Sequence, residues 1–309
     1  MKDKMVNKAH VEGYVYSHKL EKKIAGPNAK TPGVEFIKGT LNIATKEDLS
    51  NIVSINFTYE TAVRNNGNEN GNFAILDKII SGTYKNVMAD GIEAAQKVRI
   101  DTALGVNDFY DREDKLVSSQ RLDGGFIHET DFLADEDKRS TFECDFVIGK
   151  VVRKEADEEK QLPEKVEVKG YVFNFRKELL PVSFSVFNPA AMDYFESLEP
   201  TDKTPVFTRI KGILDCIQTK TTKIDEGAFG DTVTEYTNTR KNYTITWAEK
   251  EPKEWDSEET ILAADFVKLL QEREVKLAGI KKNHDEYKKG ATPAPAPTAA
   301  ATPTQFFNF

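Results

Sequence analysis

Apolar and polar residues alternate with a period of two over most of the chain before residue 250, which is the pattern of β-strands that bury one face. In residues 10–19, for example, Val11 and Val15 alternate with Glu12 and Tyr14. The same alternation predicts further strands along the chain. The strands are expected at residues 10–19, 34–45, 51–61, 97–106, 115–129, 142–153, 165–175, 179–187, 206–218 and 242–248.

Two short segments change from the strand period to a helical one. Leu76 and Ile79 recur at helical spacing after the third strand, and Met192 and Phe195 do so after the eighth. The order of three strands, one helix and two strands therefore occurs twice. Such an internal duplication indicates two similar modules.

This order predicts a mainly β fold of two tandem five-stranded barrels of the oligonucleotide-binding (OB) type, a fold with one helix between its third and fourth strands. The expected units are residues 1–135 and residues 136–254. A β-sandwich of similar strand number stays open, because periodicity predicts strands and not their pairing. Residues 219–240 are expected to be a long insert between the last two strands.

A long amphipathic helix is predicted over residues 255–289. The run at 256–259 resembles a capping box, and apolar residues from Leu262 to Ile280 follow at helical spacing. Residues 290–309 then form a disordered Pro- and Ala-rich linker with an aromatic tip, since this composition cannot bury a core.

Composition and motifs narrow the function. The chain has 309 residues, and 51 acidic against 43 basic side chains give a net charge of −8, which disfavours wholesale attraction to a polyanion but not a local basic groove. The four histidines lack metal-ligand spacing, and no phosphate-binding glycine loop, nucleophile elbow or HExxH motif is present. We therefore expect a binding protein without cofactor or metal, not an enzyme.

Hydropathy also bears on location. No apolar run is long enough to cross a bilayer, and the polar N-terminus lacks a signal-peptide core. These features predict a cytoplasmic protein, in the host cytoplasm if the protein is viral.

Aromatic residues on strands, next to basic ones, are the most informative signal. Proteins that bind single strands stack bases on exposed rings and neutralise phosphates with Lys and Arg. The candidate stacking rings are Tyr14, Tyr16, Phe36, Phe57, Tyr59, Phe109, Tyr110, Tyr171, Phe173, Phe175, Tyr243 and Trp247. The candidate phosphate contacts are Lys19, Lys22, Lys23, Lys30, Lys38, Arg99, Arg176, Lys177, Arg209, Lys211, Arg240 and Lys241. Because alternation turns one face of each strand inward, roughly half of the rings are expected to be core.

One segment resembles a known family. Residues 98–110, followed by 116–118 and by Phe126 and Ile127, are similar to the last hairpin in single-stranded DNA-binding proteins of bacteriophage replication. The resemblance covers part of the first module and extends to the second only through the order of its elements. It implies an OB-fold protein that coats and protects single-stranded DNA during replication, recombination or repair, with weak sequence preference.

The end of the chain adds to this resemblance. Such proteins commonly end in a flexible tail whose terminal phenylalanine docks on polymerases, primases, helicases or recombination factors. Here the tip contains Phe306, Phe307 and Phe309, but no Asp or Glu precedes Phe309 as it does in the usual tail. The resemblance thus implies single-stranded DNA as the partner and, through the tip, replication proteins; a homo-oligomer is left open.

Two other functions compete with this interpretation. Tandem β modules with an acidic surface also suit a structural or assembly protein of a virion or phage tail. A catalytic alternative, such as a nuclease accessory protein, is weaker because the sequence shows no cluster of acids or metal ligands.

Overall fold

The computed structural model describes residues 5–27, 29, 31–64, 66–157, 162–201, 203–225, 232–257 and 260–290, with the backbone alone for 217–225, 232–240, 289 and 290. The fold is mainly β with a C-terminal helix, as predicted. The strands are β1 (Asn7–Ile24), β2 (Glu35–Ala44), β3 (Ile52–Thr61), β4 (Lys97–Tyr110), β5 (Leu116–Glu129), β6 (Ser140–Lys154), β7 (Lys165–Phe173), β8 (Leu179–Val186), β9 (Val206–Asp225) and β10 (Thr232–Ala248). The helices are α1 (Gly71–Ile80), α2 (Val87–Asp90), α3 (Pro189–Ser197) and α4 (Ala263–Gly290).

Strand pairing forms two cycles of the same type. In module 1, defined as β1–β5 with α1 and α2, the order β2-β3-β5-β4-β1 returns to β2. In module 2, defined as β6–β10 with α3, the order β6-β7-β8-β10-β9 returns to β6. Within each cycle only the third and fifth strands pair in parallel. The duplicated order of elements is therefore accompanied by a duplicated order of pairing.

The two modules are not separate sheets. β1 pairs antiparallel with β6, with Ala9 opposite Phe142, and this pairing joins all ten strands into one sheet. The junction is reciprocal: the Glu12 N–H donates to the Arg139 carbonyl at 2.7 Å, and the Asp145 N–H donates to the Val6 carbonyl at 2.8 Å. Each module thus fixes the residue that precedes the first strand of the other.

Local sequence explains the short helices. Asn70 and Asn188 are the N-caps of α1 and α3, and each side chain accepts a backbone N–H of the first turn. Pro189 occupies the start of α3, where a missing N–H costs nothing. The buried faces of the two helices pack on a single apolar cluster that extends through both modules.

Helix α4 connects the modules from outside. Phe266 is buried in a second apolar cluster with Phe173, Leu179 and Phe207 of module 2. About two turns further along the helix, the Arg273 guanidinium donates to both carboxylate oxygens of Asp108 on β4, at 2.8 and 3.2 Å. No helix in the described part of the chain is long and apolar enough to cross a membrane.

Two predictions about elements were wrong. The expected insert at 219–240 instead continues the pairing of β9 with β10, from Thr219 opposite Asn238 to Asp225 opposite Thr232, because β-branched threonines favour strands. The expected capping box does not start the helix: α4 begins at Ala263, whose N–H donates to the Asp256 carboxylate at 2.8 Å.

Candidate functional site

A row of directly opposed residues crosses the outer face of module 1. Lys19 on β1 lies opposite Thr40 on β2, Thr40 opposite Asn56 on β3, and Asn56 opposite Asp123 on β5. We call these four residues the open row. Opposed residues share a face of the sheet, and the Thr40 hydroxyl accordingly donates to the Asn56 side-chain oxygen at 3.1 Å. The core side of the same strands holds Ile37, Leu41 and Ile55.

Two aromatic rings in contact lie on this face, at the end that carries lysines. The centroids of Phe36 and Tyr59 are 4.5 Å apart, and Tyr59 is 43% exposed. Its hydroxyl is 2.8 Å from the Thr31 hydroxyl, which holds the ring in place. Lys23 lies opposite Phe36 on the neighbouring strand, and Lys38 follows Phe36 on the same face of β2. We call Phe36 and Tyr59 the ring pair.

The other end of the open row reaches a groove of about 660 Å³ between the modules. Its walls come from residues 5–8, 103–106 and 173–178, with Asp123, Leu180 and Lys276. Asp123 belongs to both features, because it lies opposite Asn56 in the row and also lines the groove. The row and the groove are therefore continuous.

The turn between β7 and β8 places a ring and two basic side chains in the groove. The Asn174 side-chain oxygen accepts the N–H groups of Arg176 and Glu178, each at 2.9 Å, and this fixes the turn. Phe175 is 88% exposed, and the Arg176 guanidinium lies 5.2 Å from its ring centroid. Lys177 lines the groove beside them.

Lys8 and Lys276 add two cations that sequence analysis did not single out. Lys8 comes from the start of β1, and Lys276 from α4, where it pairs with Glu178 at 3.0 Å. Neither stands next to an aromatic residue in the sequence. Only the packing of α4 against module 2 brings Lys276 to the groove, so no local signal could have found it.

Asp123 is the acidic exception in this surface. Burial raises the pKa of its carboxyl group above the ordinary value, and Arg121, whose Nε is 2.5 Å from Oδ1, offsets part of that shift. The carboxylate lies directly over Gly105: a Cβ added to this glycine would come within 2.1 Å of Oδ2. The position of the Asp123 carboxylate therefore requires glycine, which has no side chain, at residue 105.

The corresponding row of module 2 is closed. By strand register, Val152, Glu167, Ser185 and Thr244 match Lys19, Thr40, Asn56 and Asp123. Glu167, Ser185 and Thr244 are all buried. We call these four residues of module 2 the closed row.

A family model matches residues 5–283, which is most of the chain. The chain belongs to the YorF family. Among curated proteins, none matches the sequence. A solved structure of a deletion mutant of the single-stranded DNA-binding protein from Thermus aquaticus is similar, with 10% identity, 81% of this chain and 97% of that chain covered, and a TM-score of 0.45. A likeness at this level does not carry the function, which must be argued from the geometry.

In this YorF-family protein the structure brings together eight of the predicted residues. Five lie at the lysine end of the module 1 face, and three lie in the groove. The first group is Lys19, Lys23, Lys38, Phe36 and Tyr59, and the second is Phe175, Arg176 and Lys177.

Three predicted stacking rings belong to the core and are corrected here. Phe57, Phe173 and Tyr243 are only 2%, 1% and 7% exposed, so a base cannot reach their faces. The pairing of β2 with β3 shifts register between Ile37 and Gly39. Such a bulge changes which residues of a strand face outward, and Phe57 is consequently buried although Tyr59, two residues on, is exposed.

Other predicted stacking rings pack against protein side chains or lie away from the open row. Tyr110 packs against α4, with the Lys281 ammonium 5.2 Å from its ring centroid, and Tyr171 packs against Phe266 at 6.0 Å. Burial raises the pKa of the Tyr14 hydroxyl; Glu47, Glu93 and Glu136 raise it further, and Arg139 lowers it. Tyr16 is half-buried beside a register shift in β1, and Phe109 is exposed on the hairpin of β4 and β5.

Five predicted phosphate contacts are engaged in ion pairs. The pairs are Lys22 with Asp77 at 2.5 Å, Lys23 with Glu21 at 2.8 Å, Arg99 with Asp101 at 3.5 Å, Arg209 with Asp145 at 2.8 Å and Lys211 with Glu143 at 3.9 Å. The Asp145 side chain is 2% exposed, so Arg209 neutralises a buried carboxylate and is a structural residue.

The remaining predicted residues either lie away from the open row and the groove or are outside the described residues. Trp247 and Lys211 form their own pair on β9 and β10, with the ammonium 5.1 Å from the ring centroid, and Lys241 is exposed on β10. The side chains of Lys30, Arg240, Phe306, Phe307 and Phe309 lie outside the described residues.

Proposed function

We propose that this protein binds single-stranded DNA along the open row, from the ring pair to the groove, and acts as a binding protein in DNA replication, recombination or repair, not as an enzyme. The observation that carries the proposal is the ring pair. Two aromatic side chains in contact, one of them 43% exposed, lie among three lysines on one face. This is the combination that single-strand binders use, because rings stack bases and lysines neutralise phosphates.

We further propose that each cycle of five strands is an OB-type barrel. The pairing order of module 1, its parallel contact between the third and fifth strands, and the helices between the third and fourth strands all suit this fold. OB folds bind oligonucleotides on the outer face of their second and third strands. The ring pair lies on β2 and β3, which are those strands in module 1.

The dimensions fit a short stretch of a single strand. The row crosses from β1 through β2, β3 and β5, and β4 with Gly105 follows at the groove. Neighbouring strands are about 4.8 Å apart, so the path across five strands is about 19 Å long. Site sizes start at about 4 nucleotides for an OB fold. Phe175 and Arg176 extend the path into the groove.

The net charge of −8 does not oppose this function. What matters for a polyanion is the charge on the contact surface. Lys19, Lys23 and Lys38 flank the ring pair, and the acid within their group, Glu21, pairs with Lys23 at 2.8 Å, which leaves an excess of positive charge. We therefore expect binding that weakens as salt concentration rises, because neutralised phosphates release counterions.

The test is a titration of a fluorescein-labelled oligothymidylate, followed by anisotropy at two salt concentrations. We expect the wild type to bind in a salt-dependent way, and Phe36→Ala and Tyr59→Ala each to lose about 1–3 kcal/mol of binding free energy. Trp247→Ala is the matched control, because it removes an exposed ring beside a lysine on the other module. Absence of binding by the wild type, or an equal loss in the control, would contradict the proposal.

A further inference from the structure

We infer that Asp123 makes the DNA site selective for bases that present an amino group, cytosine above all, over thymine. This inference rests on the proposed binding of single-stranded DNA. Its starting point is that a site for a polyanion contains a carboxylate at its centre, where the open row meets the groove. A carboxylate at that place repels phosphate, so its presence needs a reason.

The position of Asp123 is built into the fold. Register places it opposite Asn56 on one side and opposite Ala103 on the other. The side chain covers the Cα of Gly105, and any larger residue at 105 would collide with Oδ2. The carboxylate is therefore held on the floor of the path and does not extend freely into water.

The carboxylate also keeps unused acceptor capacity. Oδ1 is buried and lies 2.5 Å from Arg121 Nε, so this oxygen is paired with the guanidinium. The side chain as a whole is 35% exposed, and Oδ2 accepts no hydrogen bond from the described residues, so Oδ2 is the oxygen that a donor from a ligand can reach. A hydrogen bond from a ligand to this charged acceptor is favourable. Burial strengthens the effect, since hydrogen bonds are stronger in a low-dielectric surrounding.

A single strand can supply that donor only from its bases. Its phosphates are acceptors and carry negative charge, so the sugar-phosphate chain is expected to run on the lysine side and turn base edges towards Asp123. Cytosine presents the N4 amino group, to which Asp and Glu are the matching acceptors. Thymine presents the O4 acceptor at the same place, and two acceptors facing each other repel.

The experiment compares equal-length labelled oligocytidylate and oligothymidylate at pH 8 and one salt concentration. We expect the wild type to bind oligocytidylate at least fivefold more tightly, which corresponds to about 1 kcal/mol. In Asp123→Asn the ratio should fall towards one, because an amide can both accept from cytosine and donate to thymine. Glu113→Gln, an exposed acid in the turn between β4 and β5, is the control and should keep the wild-type ratio.

Gly105→Ala provides a second variant, which retains the Asp123 carboxylate but moves it away from its position over residue 105. It too should reduce the ratio, and circular dichroism would verify that the variant folds. Equal binding of both oligonucleotides by the wild type, or a preference that survives in Asp123→Asn, would overturn the selectivity while leaving DNA binding intact. Failure of the wild type to bind either oligonucleotide would instead overturn the proposed function itself.

Discussion

In module 1 the row Lys19, Thr40 and Asn56 is accessible, whereas in module 2 the matching positions Glu167 and Ser185 are buried. The two rows have the same strand order and the same register. Their difference therefore does not come from the fold of a module. It comes from the side chains that cover each row.

Side chains of module 2 itself and of β5 in module 1 cover the closed row. The Lys165 ammonium lies 3.0 Å from the Glu167 carboxylate and donates to the Ser185 hydroxyl at 3.2 Å. The Gln120 side-chain oxygen accepts the Ser183 N–H at 3.0 Å, on an edge of β8. One copy of a duplicated module has thus become a support, and the other keeps a free face for a ligand.

The largest expected effect concerns the helix that connects the modules. Arg273→Met would leave Asp108 buried without its cation, and we expect a loss of about 3–5 kcal/mol in the free energy of unfolding. Lys276→Met, on the same helix but in an exposed pair with Glu178, should cost about 0–1 kcal/mol. Urea unfolding of both variants measures the difference. A loss below 1 kcal/mol for Arg273→Met would show that α4 does not hold the modules together.

The second prediction contrasts two lysines at matching positions, Lys38 on β2 and Lys165 on β7. Lys165→Ala removes a charged partner of the buried Glu167 and should cost about 1–3 kcal/mol of stability while leaving DNA affinity unchanged. Lys38→Ala should do the reverse: stability stays the same, and the slope of log affinity against log salt decreases by about 0.7, the value for one contact with a single strand.

Urea unfolding and oligothymidylate titrations at several salt concentrations would measure both variants. If Lys165→Ala weakened binding as much as Lys38→Ala, the closed row would take part in DNA binding. The distinction between a supporting module and a binding module would then fail.

These two lysines also show where sequence analysis reaches its limit. Both follow the strand alternation, which correctly predicts that they point away from the interior of their own module. Alternation is a property of one strand and its sheet, and it does not indicate which side chains of the same module or of the other module will cover that face. The strands and the duplicated order could therefore be predicted, but not which outer face would remain open.

The rings show a second limit. Phe57 and Tyr59 are two residues apart, and a regular strand would place both on one face. The register shift between Ile37 and Gly39 separates them, so one is core and the other exposed. Bulges leave no reliable mark in a single sequence. The prediction that Phe175 is exposed does not depend on a strand register, because β7 ends at Phe173 and Phe175 lies in the following turn with its ring outward.

A smaller effect is expected from the contact that closes module 2. Gln120→Ala leaves the Ser183 N–H without its acceptor, and we expect a loss of about 1 kcal/mol in stability. Hydrogen exchange at the Ser183 amide should accelerate, while the Ser54 amide at the matching position of module 1 serves as the internal control. Unchanged exchange at Ser183 would mean that β5 does not protect the edge of β8.

The smallest effect concerns the last position of each row, where Asp123 of module 1 matches Thr244 of module 2. Burial raises the pKa of Asp123 in the folded state, so the folded protein binds this proton more tightly than the unfolded chain does. The free energy of unfolding should therefore fall as pH rises from about 3.9, the ordinary value for Asp, through the raised pKa, and then level off. Urea unfolding across this range should show the fall in wild type. Asp123→Asn should lack this contribution, while the effect of Asp215, whose pKa burial also raises, cancels in the comparison because both proteins contain it in the same surroundings. Parallel curves for wild type and Asp123→Asn would mean that the carboxylate is as well solvated on the open row as in the unfolded chain, which would remove the reason to expect it to seek a donor from DNA.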